Sequence, residues 1–428
     1  MTLNRVERTL VVSELLFPVS GAVVITDEMT TEQRGLDTVN LADPDTFLEQ
    51  DLTGYWRYLR ASRPVHRHAE IAPGKAFWVL SRHADLLTVY RDTEHFTSER
   101  GNLLETLLSG GDSAGGRMLV VTDGERHRQL RRLLSQAFAP RALRVVIDRL
   151  QVAVRRLLRE AIEAGTCDFA ADVAARIPLA TICDLLDVPD ADRARVLEWT
   201  TAAHGPQAAL AINDILLYFA GLARQRRDTP HADVVSLLAA GEVAGAPLTD
   251  DEVILNCYSL ILGGNETTRL SMIGGVLAFA EHPAQWAALR DGDVTVAGAV
   301  EEILRWTSPT MYMGRTVVSE VVVNGTRFVP GDVVTLWNVS ANHDEEVFTR
   351  PEVFDLARTP NPHVTFGHGP HFCLGAHLTR VELTALLEGL RSAVDAVELR
   401  GEPVRISSNM LTGYRSLPVA LRPRAAGG

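Results

Sequence analysis

From Thr249 to His282, apolar residues recur at the spacing of an α-helix, and Pro283 marks the end of the pattern. Thr249 followed three residues later by Glu252 is a capping box, which predicts the first helical turn. A helix of this length spans on the order of 50 Å, at about 1.5 Å per residue. The pattern therefore predicts one long helix that crosses the whole domain.

Shorter patterns surround this helix. Helical patterns follow one another between residues 126 and 282, whereas alternating apolar and polar residues, which are typical of strands, occur near the two ends of the chain. The predicted fold is mainly α-helical with a small β region. The clearest predicted elements are strands at 65–70, 76–81, 316–324 and 333–337, helices at 126–136 and 141–164, and a hairpin turn at 323–326.

The chain has 428 residues, a length for which about two to three domains would be ordinary. No Pro/Gly-rich linker divides it, so we expect a single large domain over residues 37–428. Residues 1–36 are then an N-terminal extension. Residues 1–28 match no recognisable pattern, and we hypothesise that translation begins at Met29 or that the segment is disordered.

Charge and composition exclude several functions. The net charge of −12 argues against nucleic acid as a partner. The apolar stretch 10–25 is interrupted by Glu14 and Pro18, so it predicts no membrane span and no signal peptide. Of the 42 basic residues only Lys75 is a lysine, which suggests a GC-rich bacterial genome. Four scattered cysteines show no disulfide framework and favour a cytoplasmic protein: Cys167, Cys183, Cys257 and Cys373.

The strongest chemical signal is the loop at 366–375, where Cys373 lies among three glycines and directly before a helical pattern. A thiolate is a strong, soft ligand for iron. Glycines admit backbone angles closed to other residues and let a flat macrocycle approach closely. At a helix start, free N–H groups also favour a thiolate.

Two other interpretations of this loop exist. A lone cysteine is usually a small buried apolar residue. Alternatively, Cys373 and the histidines His368, His371 and His377 would form a zinc cluster. Structural zinc sites usually combine ligand pairs from two places in the chain, and we find no second pair placed for this.

The pattern F-G-x-G-x-x-x-C-x-G resembles the cytochrome P450 family of haem-thiolate monooxygenases. The resemblance covers roughly residues 40–422 in order and is strongest after residue 249. It implies that Cys373 ligates the iron of haem b, iron protoporphyrin IX. It also implies that Phe366, Gly367 and Gly375 contact this cofactor.

In the middle of the predicted long helix, the run G-G-N-E-T-T begins at Gly263. Adjacent glycines cost about 1 kcal/mol each in a helix, so either a close helix crossing or a local distortion over a flat cofactor has to explain them. The run resembles the family's oxygen-activation motif. By that match Gly263 faces the haem, Thr267 is the hydroxyl beside dioxygen, and Glu266 is the acid of the proton relay. Asn265 and the later Arg269 form a less common variant, found in bacterial natural-product enzymes of which some act on carrier-bound substrates.

The tetrapeptide from Glu302 to Arg305 puts two opposite charges on one helical face. Alone it would suggest a surface salt bridge. With Cys373 about 70 residues downstream, it matches the structural ion pair that the family places behind the haem. The arginine that often joins this pair is replaced by Val353, and whether Arg358 substitutes for it stays open at this point.

The resemblance also implies cations or donors for the two haem propionates. His127 and Arg131 match the family's H-x-x-x-R pattern, and Arg315 begins a strand where the family has a propionate arginine. His363 precedes the cysteine loop, and His371 occupies a position often held by arginine or histidine. Each residue alone would suggest an ordinary surface position, but together they predict an anion site.

The family layout implies a largely apolar substrate pocket, with the variable stretch 98–118 nearby. Its predicted lining residues are Tyr258, Leu262, Met311, Met313, Met410 and Leu411. The expected activity is insertion of one oxygen atom from O2 into a hydrophobic small molecule in bacterial natural-product biosynthesis. The alternatives are a peroxide-driven or rearranging haem-thiolate enzyme, and a non-catalytic carrier-protein-binding module on the same fold.

The expected partners are a small-molecule substrate, free or carrier-bound, and a ferredoxin with its ferredoxin reductase as the electron donor. We expect the ferredoxin to dock on the face nearest Cys373. The basic residues expected there are Arg128, Arg132, His368 and Arg380.

Overall fold

The computed structural model describes residues 39–72, 74–203 and 208–424. From Asn40 onwards the chain forms one compact unit. The predicted N-terminal extension over residues 1–36 lies outside the described residues, so its boundary, its disorder and the start at Met29 stay predictions.

The described residues form fifteen α-helices. In chain order they are α1 (Pro44–Glu49), α2 (Thr53–Ser62), α3 (His83–Arg91), α4 (Leu104–Leu108), α5 (Gly124–Ser135), α6 (Pro140–Glu163), α7 (Arg176–Leu185), α8 (Asp190–Ala202), α9 (Ala208–Asp228), α10 (Val234–Ala239), α11 (Asp250–Glu281), α12 (Pro283–Asp291), α13 (Val296–Thr307), α14 (Asn338–Ala341) and α15 (Ala376–Ala393).

The strands are short. They are β1 (Val65–His68), β2 (Phe77–Leu80), β3 (Phe96–Thr97), β4 (Cys167–Asp168), β5 (Glu242–Val243), β6 (Ala246–Pro247), β7 (Tyr312–Val317), β8 (Val321–Val323), β9 (Thr326–Phe328), β10 (Val333–Trp337), β11 (Val394–Leu399), β12 (Val404–Arg405), β13 (Tyr414–Ser416) and β14 (Pro418–Pro423).

The largest sheet has the strand order β1-β2-β10-β7-β3. β2 and β10 run parallel and the other neighbours run antiparallel. A second sheet has the order β11-β14-β4, and three two-stranded hairpins complete the β region. The predicted turn at 323–326 connects β8 and β9, with positive φ angles at Asn324 and Gly325 that suit a tight hairpin.

The predicted long helix is α11, and its capping box is confirmed. The Thr249 side chain accepts from the N–H of Glu252, while the Glu252 carboxylate accepts from the N–H of Thr249. Helices α7, α9, α13 and α15 all contact α11. The helix is therefore buried along most of its length and connects the two halves of the core.

Three apolar clusters account for most of the core. One surrounds the second half of α11 with α6, α13, α15 and the β11-β14-β4 sheet. Another surrounds the first half of α11 with α7, α8, α9 and α10. The third packs the five-stranded sheet against α3. A mainly α-helical fold with a small β region is thus confirmed. Among the described residues, no helix has the length and apolar character needed to cross a bilayer.

Candidate active site

The cysteine loop is fixed against α3. The backbone N–H of Cys373 donates to the carbonyl oxygen of Phe366 at 2.9 Å, which closes the loop. Gly369 has a φ of +70°, and a β-carbon there would collide with the carbonyl oxygen of Tyr90 on α3. Only glycine fits this conformation and this approach, so the glycine pattern seen in the sequence has a direct steric cause.

The environment of Cys373 both opposes and favours a thiolate. The residue is exposed, but the protein atoms around its sulfur raise the pKa of the thiol by desolvation. The N–H group of Gly375 and the guanidinium groups of Arg131 and Arg380 act to lower that pKa. Metal binding requires the deprotonated sulfur, and these groups offset part of the desolvation, although the pKa of the thiol stays raised without a metal.

Two adjacent glycines of α11 have different roles. A β-carbon at Gly264 would lie 3.1 Å from the Ile182 side chain of α7, so this glycine permits a close helix crossing. A β-carbon at Gly263 would meet nothing within 4 Å, so this position borders open space. The two explanations drawn from the sequence therefore apply to different residues. The expected distortion does not interrupt the helix, which is continuous over Asp250–Glu281.

Two histidines form one part of a cationic cluster near the cysteine loop. The ring of His127, on α5, lies 4.2 Å from the ring of His371 between centroids. His127 is buried, and its Nε2 has no partner among the described residues. Burial, followed by the charge of His371, lowers the pKa of His127 to about 4, so its imidazole is neutral near pH 7.

Two arginines complete this cluster. Arg131 donates from Nη2 to the carbonyl oxygen of Phe372 at 2.6 Å. Arg315, on β7, is buried; its guanidinium donates to the Gly314 carbonyl at 2.7 Å and lies over the ring of Tyr90. Burial lowers the pKa of His371, and the positive charges of Arg315 and Arg131 lower it further. These predicted members therefore lie close together.

Asp123 is a member of this cluster that the sequence did not reveal. Its carboxylate accepts from Nε2 of His371 at 2.9 Å and from the N–H of Ser98 at 2.7 Å. Burial acts to raise the pKa of Asp123, but the hydrogen bonds, of which that from His371 is the strongest, lower it well below its usual value. Asp123 therefore holds one edge of the His371 ring.

These residues fit a haem group. The unpartnered Nε2 of His127 and the buried guanidinium of Arg315 are donors suited to carboxylates such as the two propionates. Cys373 offers a soft sulfur ligand, and a β-carbon at Gly263 would meet no atom within 4 Å, so α11 leaves the approach to this position unobstructed. By contrast, no described group of metal-ligating side chains includes Cys373, which argues against the zinc interpretation.

His363 has a different role from the predicted one. Its Nε2 lies 3.1 Å from the Glu301 carboxylate, and its Nδ1 accepts from the N–H of Thr365 at 3.3 Å. Because both ring nitrogens have partners, neither is free for a propionate. The structure therefore corrects this prediction: His363 anchors the loop to α13 through Glu301.

The predicted pair of Glu302 and Arg305 lies in the core rather than on the surface. The two side chains are fully buried, with Nη2 of Arg305 at 2.7 Å from Oε1 of Glu302. Arg305 also donates to the carbonyl oxygens of Asn342 and Pro351. The open question about a third member is resolved, because Arg358 donates to both oxygens of the same carboxylate.

The predicted proton-relay residues lie together on α11. The Thr267 hydroxyl donates to the carbonyl oxygen of Gly263 at 3.2 Å. Glu266 is buried, and Nη1 of Arg269 lies 3.0 and 3.3 Å from its two oxygens. The hydroxyl of Thr267 can still accept a hydrogen bond, whereas the carboxylate of Glu266 is committed to an ion pair that the sequence motif did not reveal.

The predicted pocket residues form two groups. Tyr258 and Leu262 are one turn apart on α11, and Tyr258 packs near a cluster that contains Ala114 and Met118. The second group is held together by its backbone: the N–H of Met311 donates to the Met410 carbonyl, and Leu411 forms a β-bridge with Thr310.

The second group also borders α11. A β-carbon at Gly413, two residues after Leu411, would meet the side chain of Leu270 on α11. Met313 is a half-buried residue of β7 and packs against the apolar cluster between the five-stranded sheet and α3. The two groups therefore lie along α11 before and after the segment with Gly263 and Thr267.

The predicted docking surface is less basic than the sequence suggested. Arg380 is half-buried, ion-paired with Glu301 and positioned over the ring of Phe366, and Arg128 pairs with Glu125. His368 accepts a hydrogen bond from Arg91. Arg132 is exposed on α5, which makes it the predicted member best placed to meet a partner.

Comparisons with known proteins agree with this geometry. The family model described as "Cytochrome P450" matches residues 207–390. The chain is 47% identical over 400 residues to cytochrome P450 NovI of Streptomyces niveus, which covers 92% of this chain and 98% of the relative. It is 36% identical over 368 residues to a methyl-branched lipid omega-hydroxylase of Mycobacterium tuberculosis, covering 81% of this chain and 84% of that protein.

A solved structure extends the likeness to three dimensions. It is that of P450 OxyD, which its description places in the biosynthesis of vancomycin-type antibiotics. The TM-score is 0.84 at 36% sequence identity, over 90% of this chain and 100% of that one. The fold around α11 and the cysteine loop is thus shared with a solved member of the family.

Proposed function

The chain belongs to the cytochrome P450 family and is a haem-thiolate monooxygenase, and we propose that it oxidises a hydrophobic small molecule in bacterial natural-product biosynthesis. One observation carries the proposal: the thiol of Cys373 and the pair of Glu266 and Thr267 coexist in a fold that matches P450 OxyD along nearly its whole length. A module without catalytic activity has no need for either feature.

Each group has a proposed task. Cys373 would hold the iron of a bound haem, and its propionates would be bound by His127, Arg131, Arg315 and His371. The haem, when bound, supplies the activation of dioxygen. The protein's own groups orient the substrate, exclude bulk water and handle protons. The Thr267 hydroxyl, one turn after Gly263, is placed to hold a hydrogen bond beside the open space there.

The pocket supports a hydrophobic substrate. Five of its six predicted side chains are apolar, and the sixth, Tyr258, is half-buried. Desolvation raises the pKa of Tyr258, so its phenol is a neutral donor for one polar group of a substrate. We propose a mid-sized natural-product intermediate, free or carried by a carrier protein, with electrons from a ferredoxin and its reductase.

A spectral screen tests this proposal. Substrates that displace haem-bound water shift the Soret band, so candidate hydrophobic natural-product intermediates would be titrated both free and attached to a carrier protein. Compounds that bind would then be incubated with a ferredoxin, its reductase and NAD(P)H, or with hydrogen peroxide alone. The expected result is a hydroxylated product with the reductase. Product formed with peroxide alone would favour the peroxide-driven alternative.

A variant pair shows whether binding occurs in the proposed pocket. Leu262→Trp should weaken substrate binding about tenfold or more, because the indole fills space beside Gly263. Leu399→Trp makes the same change on an exposed position of β11 and should leave binding unchanged. If Leu262→Trp and Leu399→Trp bind the substrate with equal affinity, the substrate binds outside the proposed pocket.

A further inference from the structure

Asn256 is a polar residue of α11 to which the proposed reaction gives no task. Its side chain is 1% exposed. Burying an amide costs free energy unless its donor protons and its acceptor oxygen find partners inside the protein. The partners that Asn256 has found therefore indicate what the residue does.

The amide of Asn256 binds the backbone of the segment 112–122, which precedes α5. Its Oδ1 accepts from the N–H of Leu119 at 2.9 Å, and its Nδ2 donates to the carbonyl oxygen of Arg117 at 2.9 Å. Nδ2 also donates to the carbonyl oxygen of Glu252 at 2.7 Å, one turn earlier on α11. Both amide protons and the acceptor oxygen are thus in use, and the last bond fixes the side chain relative to its own helix.

An arginine of α5 ties the same segment to α11. Arg126 donates from Nε to the carbonyl oxygen of Gly116 at 2.9 Å and from Nη2 to the carboxylate of Glu252. The N–H of Gly116 donates in turn to the carbonyl oxygen of Val121 at 2.8 Å, which closes a small loop over residues 116–121. Asn256 binds inside this loop, so the segment is held to α11 at two separate points.

The anchored segment forms one wall of the proposed pocket. Tyr258, a predicted pocket residue, packs together with Leu255 on a buried cluster of Ala114, Met118 and Val121. Desolvation raises the pKa of Tyr258, and the charge of Asp112 raises it further, so the start of the segment also lies near this phenol. The position of the segment therefore determines the shape of the pocket around Tyr258.

The segment has little conformational preference of its own. Two glycine pairs, at 110–111 and 115–116, precede a 3-10 turn of three residues at 119–121. Gly110, Gly111 and Gly116 adopt positive φ angles. Because glycine loses more conformational freedom on folding than any other residue, contacts from outside the segment have to supply its order.

We propose that Asn256 is a positioning residue for substrate selectivity, because its amide holds the segment 112–122 in place as the pocket wall beside Tyr258. The inference rests on the pocket of the proposed function but on no particular substrate. Without the amide, a ligand would have to order the segment as it binds, which costs free energy for each side chain that becomes immobile. Ligands that reach Tyr258 would lose affinity, whereas a small ligand at the iron would not.

Imidazole compounds test the inference without a known substrate. Imidazole itself binds at the haem iron and is small, whereas 1-(biphenyl-4-ylmethyl)imidazole carries two further rings. Tyr258 precedes Gly263 by five residues, a separation of about 8 Å along the helix axis that the two rings can bridge. Spectral titration of the ferric holoenzyme gives the affinity of each compound.

Asn256→Leu removes all three hydrogen bonds and keeps roughly the volume of the side chain. It should weaken binding of the biphenyl compound about tenfold and leave the affinity for imidazole unchanged. Hydrogen exchange of the ligand-free protein should become faster in the peptide that contains Leu119, since local opening costs less free energy. Asn213→Leu makes the same change at an exposed position of α9 and should alter neither measurement.

Asn256→Ser tests the inference where Asn256→Leu does not fold. Its short hydroxyl can still bond the carbonyl oxygen of Glu252 but loses the contacts with the segment, so the same selective loss is expected. Equal losses for imidazole and the biphenyl compound would overturn the proposal, and so would unchanged affinities and exchange in a folded variant. A selective loss for the biphenyl compound would support it even if the substrate screen yields no oxidised product, so the proposed function and this inference can fail separately.

Discussion

Arg358 donates from Nε to both carboxylate oxygens of Glu302, at 3.2 and 3.1 Å, and the carboxylate it contacts is fully buried. Two further donors, the N–H of Asp355 and the side-chain amide of Asn361, bind the same carboxylate. With Arg305, this makes a buried anion whose oxygens are surrounded by donors. Such a site is stable only when complete, because each missing partner leaves a charge uncompensated in the core.

The completeness of this cluster leads to the first prediction. Arg358→Ala should lower the free energy of unfolding by about 3–5 kcal/mol, since it removes one partner of a buried ion pair. Arg327→Ala, which breaks the exposed pair with Glu320, should cost only about 0–1 kcal/mol. Urea denaturation of both variants measures the difference, and similar costs would show that Arg358 is dispensable.

The sequence predicted Glu302 and Arg305 as a pair because a spacing of three is a local property of a helix. It left the third member open, since Arg358 reaches Glu302 from more than 50 residues away and through a bend of the chain that no local pattern encodes. His363 was assigned to the wrong partner for the same reason. Its partner Glu301 adjoins the predicted motif, but no periodicity connects the two residues.

Sequence separation also explains which of the other features were predicted and which were missed. The capping box of α11 and the turn at Asn324 are short-range features and were predicted correctly. Arg269 lies three residues after Glu266, so helical spacing alone would have predicted their ion pair. The family motif assigns roles only to Glu266 and Thr267, and the pair was therefore not predicted. Asp123 and Glu382 matter only through distant helices and loops, and no signal in the sequence marks them.

The second prediction concerns the iron ligand. Cys373→Ala should abolish the red-shifted Soret band of the ferrous–CO complex, because that band depends on a thiolate ligand. Cys167→Ala changes a buried cysteine on β4 and should keep the band. An unaltered spectrum in Cys373→Ala would refute the assignment of the ligand.

The third prediction concerns proton handling on α11. Thr267→Ala should keep the ferrous–CO spectrum and substrate affinity but divert electrons to hydrogen peroxide, because the hydroxyl no longer holds a hydrogen bond beside the open space at Gly263. Thr267→Ser restores the hydroxyl and should restore coupling. Peroxide assays during NAD(P)H consumption measure the effect. If Thr267→Ala forms no more hydrogen peroxide per NAD(P)H consumed than the wild type, the hydroxyl of Thr267 has no role beyond its hydrogen bond to the Gly263 carbonyl.

Glu266 should behave differently from Thr267. Glu266→Gln should slow turnover by about 100-fold if the carboxylate is a direct general acid–base group. It also breaks the pair with Arg269, so folding has to be checked separately by thermal melting. Slow turnover in a protein of normal stability supports the catalytic role, and a stability loss with normal turnover supports a purely structural one.

The fourth prediction concerns the electron donor. Arg132 is exposed, whereas Arg380 is committed to Glu301. Arg132→Glu should therefore slow reduction by an acidic ferredoxin, and the wild-type rate should fall as salt screens the attraction. Arg415→Glu makes the same change of charge on β13 and should leave the rate unaltered. If the rate of reduction measured by stopped flow changes neither with salt concentration nor in Arg132→Glu, docking of the ferredoxin at this position is excluded.

The fifth prediction follows from the pKa of Glu382 on α15, which burial raises; Oε1 of this residue has no hydrogen-bond partner among the described residues. A glutamate in an unfolded chain titrates near pH 4.5, whereas the folded protein holds this proton up to about pH 8. Between these values the folded state binds more protons than the unfolded state, so the free energy of unfolding falls as the pH rises. The loss should amount to about 3–5 kcal/mol, complete above about pH 8.

Other buried groups titrate in the same experiment, so the comparison has to be made against a variant. Desolvation lowers the pKa values of His127 and His343 to about 4, and these two residues make stability rise with pH below about pH 6.5. Their contribution is common to wild type and Glu382→Gln and cancels in the difference. The difference in unfolding free energy between the two proteins should therefore grow from about pH 5 to about pH 8 in favour of Glu382→Gln. If the difference in unfolding free energy stays constant over this range, Glu382 is ionised in the folded protein and its Oε1 atom has a hydrogen-bond partner.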